Sequence, residues 1–149
     1  RRASDRSPLW PADRRGSLSH CTALCAAAVG RQDAVQSIGI DIEQIGRIEP
    51  KLWPTLFSDN ERAYFESLDP EHLAAETTVF FSAKEAFYKC QYPLTQSWVG
   101  FQDVEVTRIN DCTLGIAPPN LPPQPCHRPS IHTARLDDTH VATIMLMPI

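Results

Sequence analysis

The stretch IGIDIE at residues 38–43 decides how this chain folds. It is an apolar run interrupted by acids at alternate positions. Side chains two residues apart share one face of a β-strand, so we expect Asp41 and Glu43 to point the same way. Buried charge without a partner is costly, and a bound metal ion would satisfy both carboxylates, although a solvated strand edge is the plainer interpretation. The pattern therefore predicts a strand that carries an acidic site.

A second stretch, FSAKEAFYK at residues 81–89, has helical character. Glu85 and Lys89 are four residues apart and share a helix face, where they could also form an ordinary surface ion pair. Glu85 adds a third carboxylate, and Mg²⁺ (magnesium) prefers such hard oxygen ligands. Lys84 and Lys89 suit phosphate oxygens as point charges. Glu85 could also act as a general base, directly or through a bound water.

The third stretch is GSLSHC at residues 16–21. Ser19 and His20 precede a predicted strand, where a hydroxyl, backbone N–H groups and an imidazole can bind a phosphate. The alternative is a purely structural histidine. Taken together, the three stretches predict phosphoryl-transfer chemistry.

Composition excludes several classes of protein. The chain has 149 residues, enough for one domain with a core, and a net charge of −4 with a pI near 5.7 argues against nucleic-acid binding. The apolar stretch 21–29 is about half the length of a membrane span, and no secretory signal precedes it. Five cysteines without a CxxC pair indicate a reducing, cytoplasmic environment. The start at Arg1 indicates a processed chain or a fragment, and the arginines among residues 1–15 form a cationic edge or a solvated arm.

The pattern of apolar residues, turns and caps predicts an α+β fold. We expect an irregular start over 1–16, a hairpin of strands 22–29 and 34–43, and helices over 51–57, from Ser58 or Asp59 to Leu68, and from Pro70 to Cys90. Four further strands are expected over 103–109, 113–116, 130–136 and 141–147, with a proline-rich excursion at 118–129.

In this order and spacing, the three stretches and PLWP at residues 8–11 resemble the 4'-phosphopantetheinyl transferases of the large, Sfp-like type, closest to the enterobactin synthase component D branch. The resemblance covers roughly residues 5–110. It implies an antiparallel sheet packed with helices, in two similar halves related by a pseudo-twofold axis, with coenzyme A in the cleft between them. Residues 1–35 would be a remnant of the N-terminal half and 36–149 the catalytic half. Asp13, Arg14 and Arg15 depart from the glycine and apolar residues expected there.

The resemblance also implies the reaction and its residues. The phosphopantetheine arm of coenzyme A would pass to a serine of an acyl or peptidyl carrier protein, for siderophore or other nonribosomal peptide or polyketide biosynthesis, with release of adenosine 3',5'-bisphosphate. Glu85 or a metal-bound water would deprotonate that serine. The implied Mg²⁺ ligands are Asp41, Glu43 and Glu85; the implied coenzyme A contacts are Ser19, His20, Lys84 and Lys89; and the implied catalytic residues are Glu85, Lys89 and His20.

Other interpretations remain open at this point. A non-catalytic module could bind carrier proteins without modifying them, and a truncated transferase could be inactive. A metal-dependent phosphohydrolase would need further His or Asp ligands for a two-metal site. The segment after Glu43, with Ile45, Trp53, Leu56 and Phe57, is either the carrier contact or ordinary core. A complete chain would be a monomer.

Overall fold

The computed structural model describes residues 8–117 and 130–149. The strands in these ranges are β1 (Arg14–His20), β2 (Cys25–Arg31), β3 (Val35–Gln44), β4 (Glu105–Asn110), β5 (Thr113–Ala117), β6 (Ser130–Arg135) and β7 (His140–Pro148). The helices are α1 (Trp53–Leu56), α2 (Asp59–Glu66) and α3 (Pro70–Thr95), with 3-10 turns at Pro50–Leu52 and Phe101–Asp103. The proline-rich excursion expected at 118–129 lies outside the described residues.

The strands form two antiparallel sheets. One has five strands in the order β3-β7-β6-β5-β4, and the other is the β1-β2 pair. β3 is therefore an edge strand, and its register with β7 places Asp41 opposite Thr143. The α+β prediction is confirmed, and so are the four strands after α3.

Helix α3 packs across β3 and β7 and contributes Val79, Phe80, Ala83, Ala86, Phe87 and Cys90 to the core. Pro70 lies in its first turn, where proline costs no hydrogen bond, as the sequence predicts. The helix continues past the expected end at Cys90 as far as Thr95. It approaches β3 tightly at Gly39, where the backbone of Ala86 occupies the space that a side chain would need. This close approach sets the height of the helix above the sheet.

Helix α2 begins with a capping box. The Ser58 hydroxyl accepts a hydrogen bond from the Glu61 backbone N–H, and the Glu61 carboxylate accepts one from the Ser58 N–H. The predicted cap at Ser58 is confirmed. Phe57 and Phe65 then pack edge to face, with ring centroids 4.9 Å apart. Because Phe57 is fully buried and Leu56 nearly so, both belong to the core and not to an exposed docking surface.

The start of the chain differs from the prediction. Residues 14–16, expected to be irregular, belong to strand β1, and β2 pairs with this strand rather than with β3. The predicted hairpin of 22–29 with 34–43 is therefore wrong. The sequence signal is weak because β1 buries serines in place of apolar side chains: Ser17 and Ser19 face the protein, whereas Leu18 and His20 face solvent. In the described part of the chain, no helix combines the length and the apolar character needed to span a membrane.

Candidate functional site

Asp41 is the centre of the site, at the place where β1, β3 and α3 meet. It is 3% exposed. Its Oδ1 atom accepts hydrogen bonds from Lys89 Nζ at 2.7 Å and from Ser19 Oγ at 2.9 Å. Its Oδ2 atom is buried and has no hydrogen-bond partner among residues 8–117 and 130–149. Burying a carboxylate oxygen without a donor is costly, so this atom indicates a place for a cation or another donor.

Lys89 is the positive charge of the site. Its ammonium donates to Asp41 Oδ1, to Ser19 Oγ at 3.0 Å and to the Ile40 carbonyl at 3.2 Å. The side chain is 27% exposed, so it reaches solvent at the rim of the site. The sequence analysis placed Glu85 and Lys89 on one helix face. The structure adds a direct ion pair between Lys89 and Asp41.

Ser19 lies inside this network. Its hydroxyl donates to Asp41 Oδ1 and accepts from the Ile42 N–H at 3.2 Å and from Lys89 Nζ. A serine hydroxyl has one donor and two acceptor positions, and all three are used. In this structure Ser19 therefore orients Asp41 and Lys89, and its contact with a coenzyme A phosphate stays a prediction.

Glu43 and Glu85 complete an acidic cluster. Both are partly buried. Burial, followed by the charge of Asp41 and then that of Glu85, raises the pKa of Glu43 to about 7, against the opposing effect of Arg47 and Lys89. Burial and then the Asp41 charge raise the pKa of Glu85 as well. The three carboxylates are therefore close enough to repel one another.

A divalent cation would relieve this repulsion. The donor set consists of carboxylate oxygens, which suits Mg²⁺, and the unpartnered Oδ2 of Asp41 gives it one ligand. Within the described ranges, however, no three His, Cys, Asp or Glu side chains are already arranged to hold a metal ion. The ion pair with Lys89 occupies one oxygen of Asp41. The residues thus fit a magnesium site by chemistry and neighbourhood, with side-chain adjustment required.

Lys84 does not lie in this site. It is 2% exposed, and its ammonium donates to Glu61 Oε2 at 2.7 Å and to the carbonyl oxygens of Leu56 at 2.9 Å and Phe101 at 2.7 Å. All three donors of the ammonium are bound within the protein. In this geometry Lys84 ties α3 to α1, α2 and the Phe101 turn, and its expected contact with coenzyme A phosphates stays a prediction.

His20 is placed at the end of β1 with its side chain exposed. Successive side chains of a strand alternate between faces, so His20 points away from the face on which Ser19 meets Asp41. The structure consequently brings together Ser19, Asp41, Glu43, Glu85 and Lys89, and it leaves His20 and Lys84 outside that group.

Sequence reasoning missed Ser17. Its hydroxyl accepts a hydrogen bond from the Ile40 N–H at 3.1 Å, two residues along from the Ser19 contact with Ile42. The alternation of Ser17 and Ser19 is the signal that could have identified both a strand and its polar face.

Two cavities flank the site. One of about 430 Å³ lies between β1 and α3 and is lined by Trp10, Arg15, Ser17, Lys89 and Tyr92, among others. A smaller one of about 160 Å³ lies on the other side, against Glu85, Tyr88 and Trp98. The first cavity thus touches the site at Lys89 and the second at Glu85.

Sequence relatives agree on one family. The model of the 4'-phosphopantetheinyl transferase superfamily matches residues 37–144, and that of the 4'-phosphopantetheinyl transferase N-terminal domain matches residues 1–30. The chain is 40% identical over 106 residues to the 4'-phosphopantetheinyl transferase PptT of Mycobacterium tuberculosis, covering 71% of this chain and 46% of the relative. It is 38% identical over 107 residues to enterobactin synthase component D of Salmonella typhimurium, covering 70% and 43%. The chain spans a little under half the length of these relatives.

Solved structures show the same fold. A holo-(acyl-carrier-protein) synthase from Bacillus anthracis, in complex with CoA (3',5'-ADP), superposes with a TM-score of 0.58 at 21% identity, covering 77% of this chain and 97% of that one. The holo-[acyl-carrier-protein] synthase of Thermotoga maritima superposes with a TM-score of 0.54 at 17% identity, covering 74% and 61%. At these identities the likeness establishes the architecture alone.

Proposed function

Since the chain belongs to the 4'-phosphopantetheinyl transferase superfamily, we propose that it takes part in transfer of the 4'-phosphopantetheine group from coenzyme A to a serine hydroxyl of an acyl or peptidyl carrier protein. One observation carries the proposal: within the matched region the buried Asp41 forms an ion pair with Lys89, and its charge acts on Glu43 and Glu85. Such a cluster suits a reaction at a diphosphate, in which negative charge must be neutralised and a hydroxyl must lose its proton.

Magnesium is the cation we propose for the site. Asp41, through its unpartnered Oδ2, together with Glu43 and Glu85 would hold it. When bound, Mg²⁺ neutralises charge on the diphosphate and lowers its repulsion of an incoming nucleophile.

The remaining chemistry falls to the protein's own side chains. The carrier serine oxygen attacks the phosphorus next to the pantetheine arm, and the bond from that phosphorus to the adenosine 3',5'-bisphosphate oxygen breaks. Glu85, partly buried beside Asp41, takes the serine proton. Lys89, whose side chain is 27% exposed, exchanges one of its three hydrogen bonds within the protein for a phosphate oxygen. A phosphate contact from His20 stays a prediction.

The carrier and the organisation of the chain are also proposals. The relatives called enterobactin synthase component D support a carrier domain of siderophore or other nonribosomal peptide biosynthesis. The division into residues 1–35 and 36–149 is supported by the two family matches and by the separate β1-β2 sheet. By this division the first unit would meet coenzyme A beside the catalytic unit.

Carrier mass tests the function directly. The chain is incubated with coenzyme A, Mg²⁺ and an apo-carrier protein, and the intact carrier is weighed. We expect a gain of one phosphopantetheine that is lost in Asp41→Ala and retained in Glu71→Gln, a matched carboxylate change at an exposed position of α3. Carrier binding without a mass gain would support the non-catalytic module instead, and release of inorganic phosphate would support the phosphohydrolase.

A further inference from the structure

Two serines of β1 bind the open edge of β3. Ser17 Oγ accepts from the Ile40 N–H at 3.1 Å, and Ser19 Oγ accepts from the Ile42 N–H at 3.2 Å. Both serines are buried, at 5% and 8% exposed. We call this pair of contacts the serine clamp.

The two contacts form together because side chains of β1 and backbone N–H groups of β3 both point the same way at every second residue. Alternate side chains of β1 and alternate N–H groups of β3 each recur about every 6.6–6.8 Å, so the two hydroxyls meet the two N–H groups in register. β3 ends the five-stranded sheet, and its outward N–H groups would otherwise lack partners in a buried place. The side chains of β1 thus supply the acceptors that a neighbouring strand would have supplied.

The clamp also decides how Asp41 is held. Ser19 binds the Ile42 N–H and the Asp41 Oδ1 atom with the same hydroxyl. A shift of β1 along β3 would therefore pull the Ser19 donor away from the carboxylate. Ser17 opposes such a shift, because its own contact with Ile40, two residues before Ile42, fixes the register of β1 against β3.

We propose that Ser17 is a positioning residue, which acts through Ile40 and Ser19 to hold Asp41 with Oδ1 bound to the protein and Oδ2 left for a cation. The link from Asp41 to catalysis rests on the proposed function, whereas the clamp itself does not. Ser17 makes no contact with Asp41 or Lys89 among the hydrogen bonds described for residues 8–117 and 130–149, so its effect on them is indirect.

Nuclear magnetic resonance of the chain tests the proposal through two signals: amide hydrogen exchange of Ile40 and Ile42, and the ¹³C shift of the Asp41 carboxyl carbon. Ser17→Ala removes the acceptor, so we expect both amides to exchange about 2- to 10-fold faster and the Asp41 signal to move. Ser17→Thr restores the hydroxyl and should restore both signals. Ser67→Ala is the matched control, because Ser67 is exposed at the end of α2.

If Ser17 served only to bind the Ile40 N–H, the two signals would respond differently. If Ser17→Ala accelerates exchange at Ile40 alone, and Ile42 and Asp41 keep their wild-type signals, Ser17 does not position the carboxylate and the proposal is overturned. If Ser17→Ala does not fold, Ser17→Cys keeps the size of the side chain with a weaker acceptor, and it should move the same three signals in the same direction.

Titration with Mg²⁺ alone separates the two proposals. We expect Ser17→Ala to weaken Mg²⁺ binding about 2- to 10-fold and Ser17→Thr to restore it. Equal affinity in wild type and Ser17→Ala would overturn the inference. A wild-type chain that binds no Mg²⁺ would contradict the proposed metal site, and the two resonance signals would still decide the role of Ser17.

Discussion

A side chain at Gly39 would collide with the backbone of Ala86. A Cβ atom on Gly39 would overlap the Ala86 carbonyl oxygen and lie 2.8 Å from the Cys90 nitrogen. Gly39 belongs to the strand that carries Asp41, and Ala86 follows Glu85 in α3. The contact therefore sets the distance between the two elements that supply the acidic cluster.

Gly39→Ala should consequently destabilise the protein. The obstacle is backbone, which cannot rotate away, so α3 must move off β3 at a cost of about 3 kcal/mol in the free energy of unfolding. Urea denaturation measures the loss. Gly30→Ala is the matched control, because its new Cβ would meet side-chain atoms of Val35 and Ile38 that can shift, and we expect a smaller loss there. Equal losses would show that the contact with Ala86 is not limiting.

Lys84→Met should lower the free energy of unfolding strongly, in the absence of any ligand. It leaves the Glu61 carboxylate buried without its ion-pair partner, which costs about 3–5 kcal/mol. The double variant Lys84→Met/Glu61→Gln should recover part of that loss. Thermal and urea unfolding measure both variants.

The matched control for Lys84 is Lys51→Met, which breaks an exposed ion pair with Glu49 and should cost about 0–1 kcal/mol. A Lys84→Met protein that keeps wild-type stability but loses affinity for coenzyme A would restore the phosphate-binding role predicted from the sequence.

Asp137 should make stability depend on pH in the acid range. Hydrogen bonds to its carboxylate, first from the Thr139 N–H and then from the Thr139 hydroxyl and His140, lower its pKa from 3.8 to about 2. A carboxylate with a lowered folded-state pKa stabilises the protein above the unfolded value, so this contribution is complete above pH 3.8 and lost as the pH falls through about 2.

The free energy of unfolding of Asp137→Asn, measured from about pH 6 to about pH 2, tests this prediction. We expect the variant to be less stable than wild type at the upper end and the difference to shrink toward the lower end. Asp138→Asn, the neighbouring aspartate of the same turn, is the control. A constant difference between Asp137→Asn and wild type across the range would contradict the prediction.

Glu85→Gln should lower kcat by about 100- to 10,000-fold if Glu85 takes the serine proton, because general base catalysis contributes about that factor. The KM for the carrier should change little, since Glu85 is not proposed to bind it. Initial rates of phosphopantetheine transfer measure both. Glu71→Gln should leave kcat unchanged, and an unchanged kcat in Glu85→Gln would require a different base.

Several elements were predictable because their causes are local. The helix start expected at Ser58 or Asp59 and the one expected near Pro70 depend on residues within one helical turn, and the structure has caps at Ser58 and Asp69 with Pro70 in the first turn. Strand β1 was missed because its stability depends on distant partners: its hydroxyls bind Ile40 and Ile42, 23 residues further along the chain. No local apolar alternation marks such a strand.

The sequence by itself determined which acidic and basic groups share a face. Asp41 and Glu43 follow from the two-residue period of a strand, and Glu85 and Lys89 from the turn of a helix. Only the tertiary structure decided between Lys84 and Lys89. Lys84 is buried because Glu61 and the Phe101 carbonyl, 23 and 17 residues away, close over it, whereas Lys89 meets Asp41 from 48 residues away at a partly open rim. Burial depends on what packs against a side chain, and the residues next to it in the chain do not specify that.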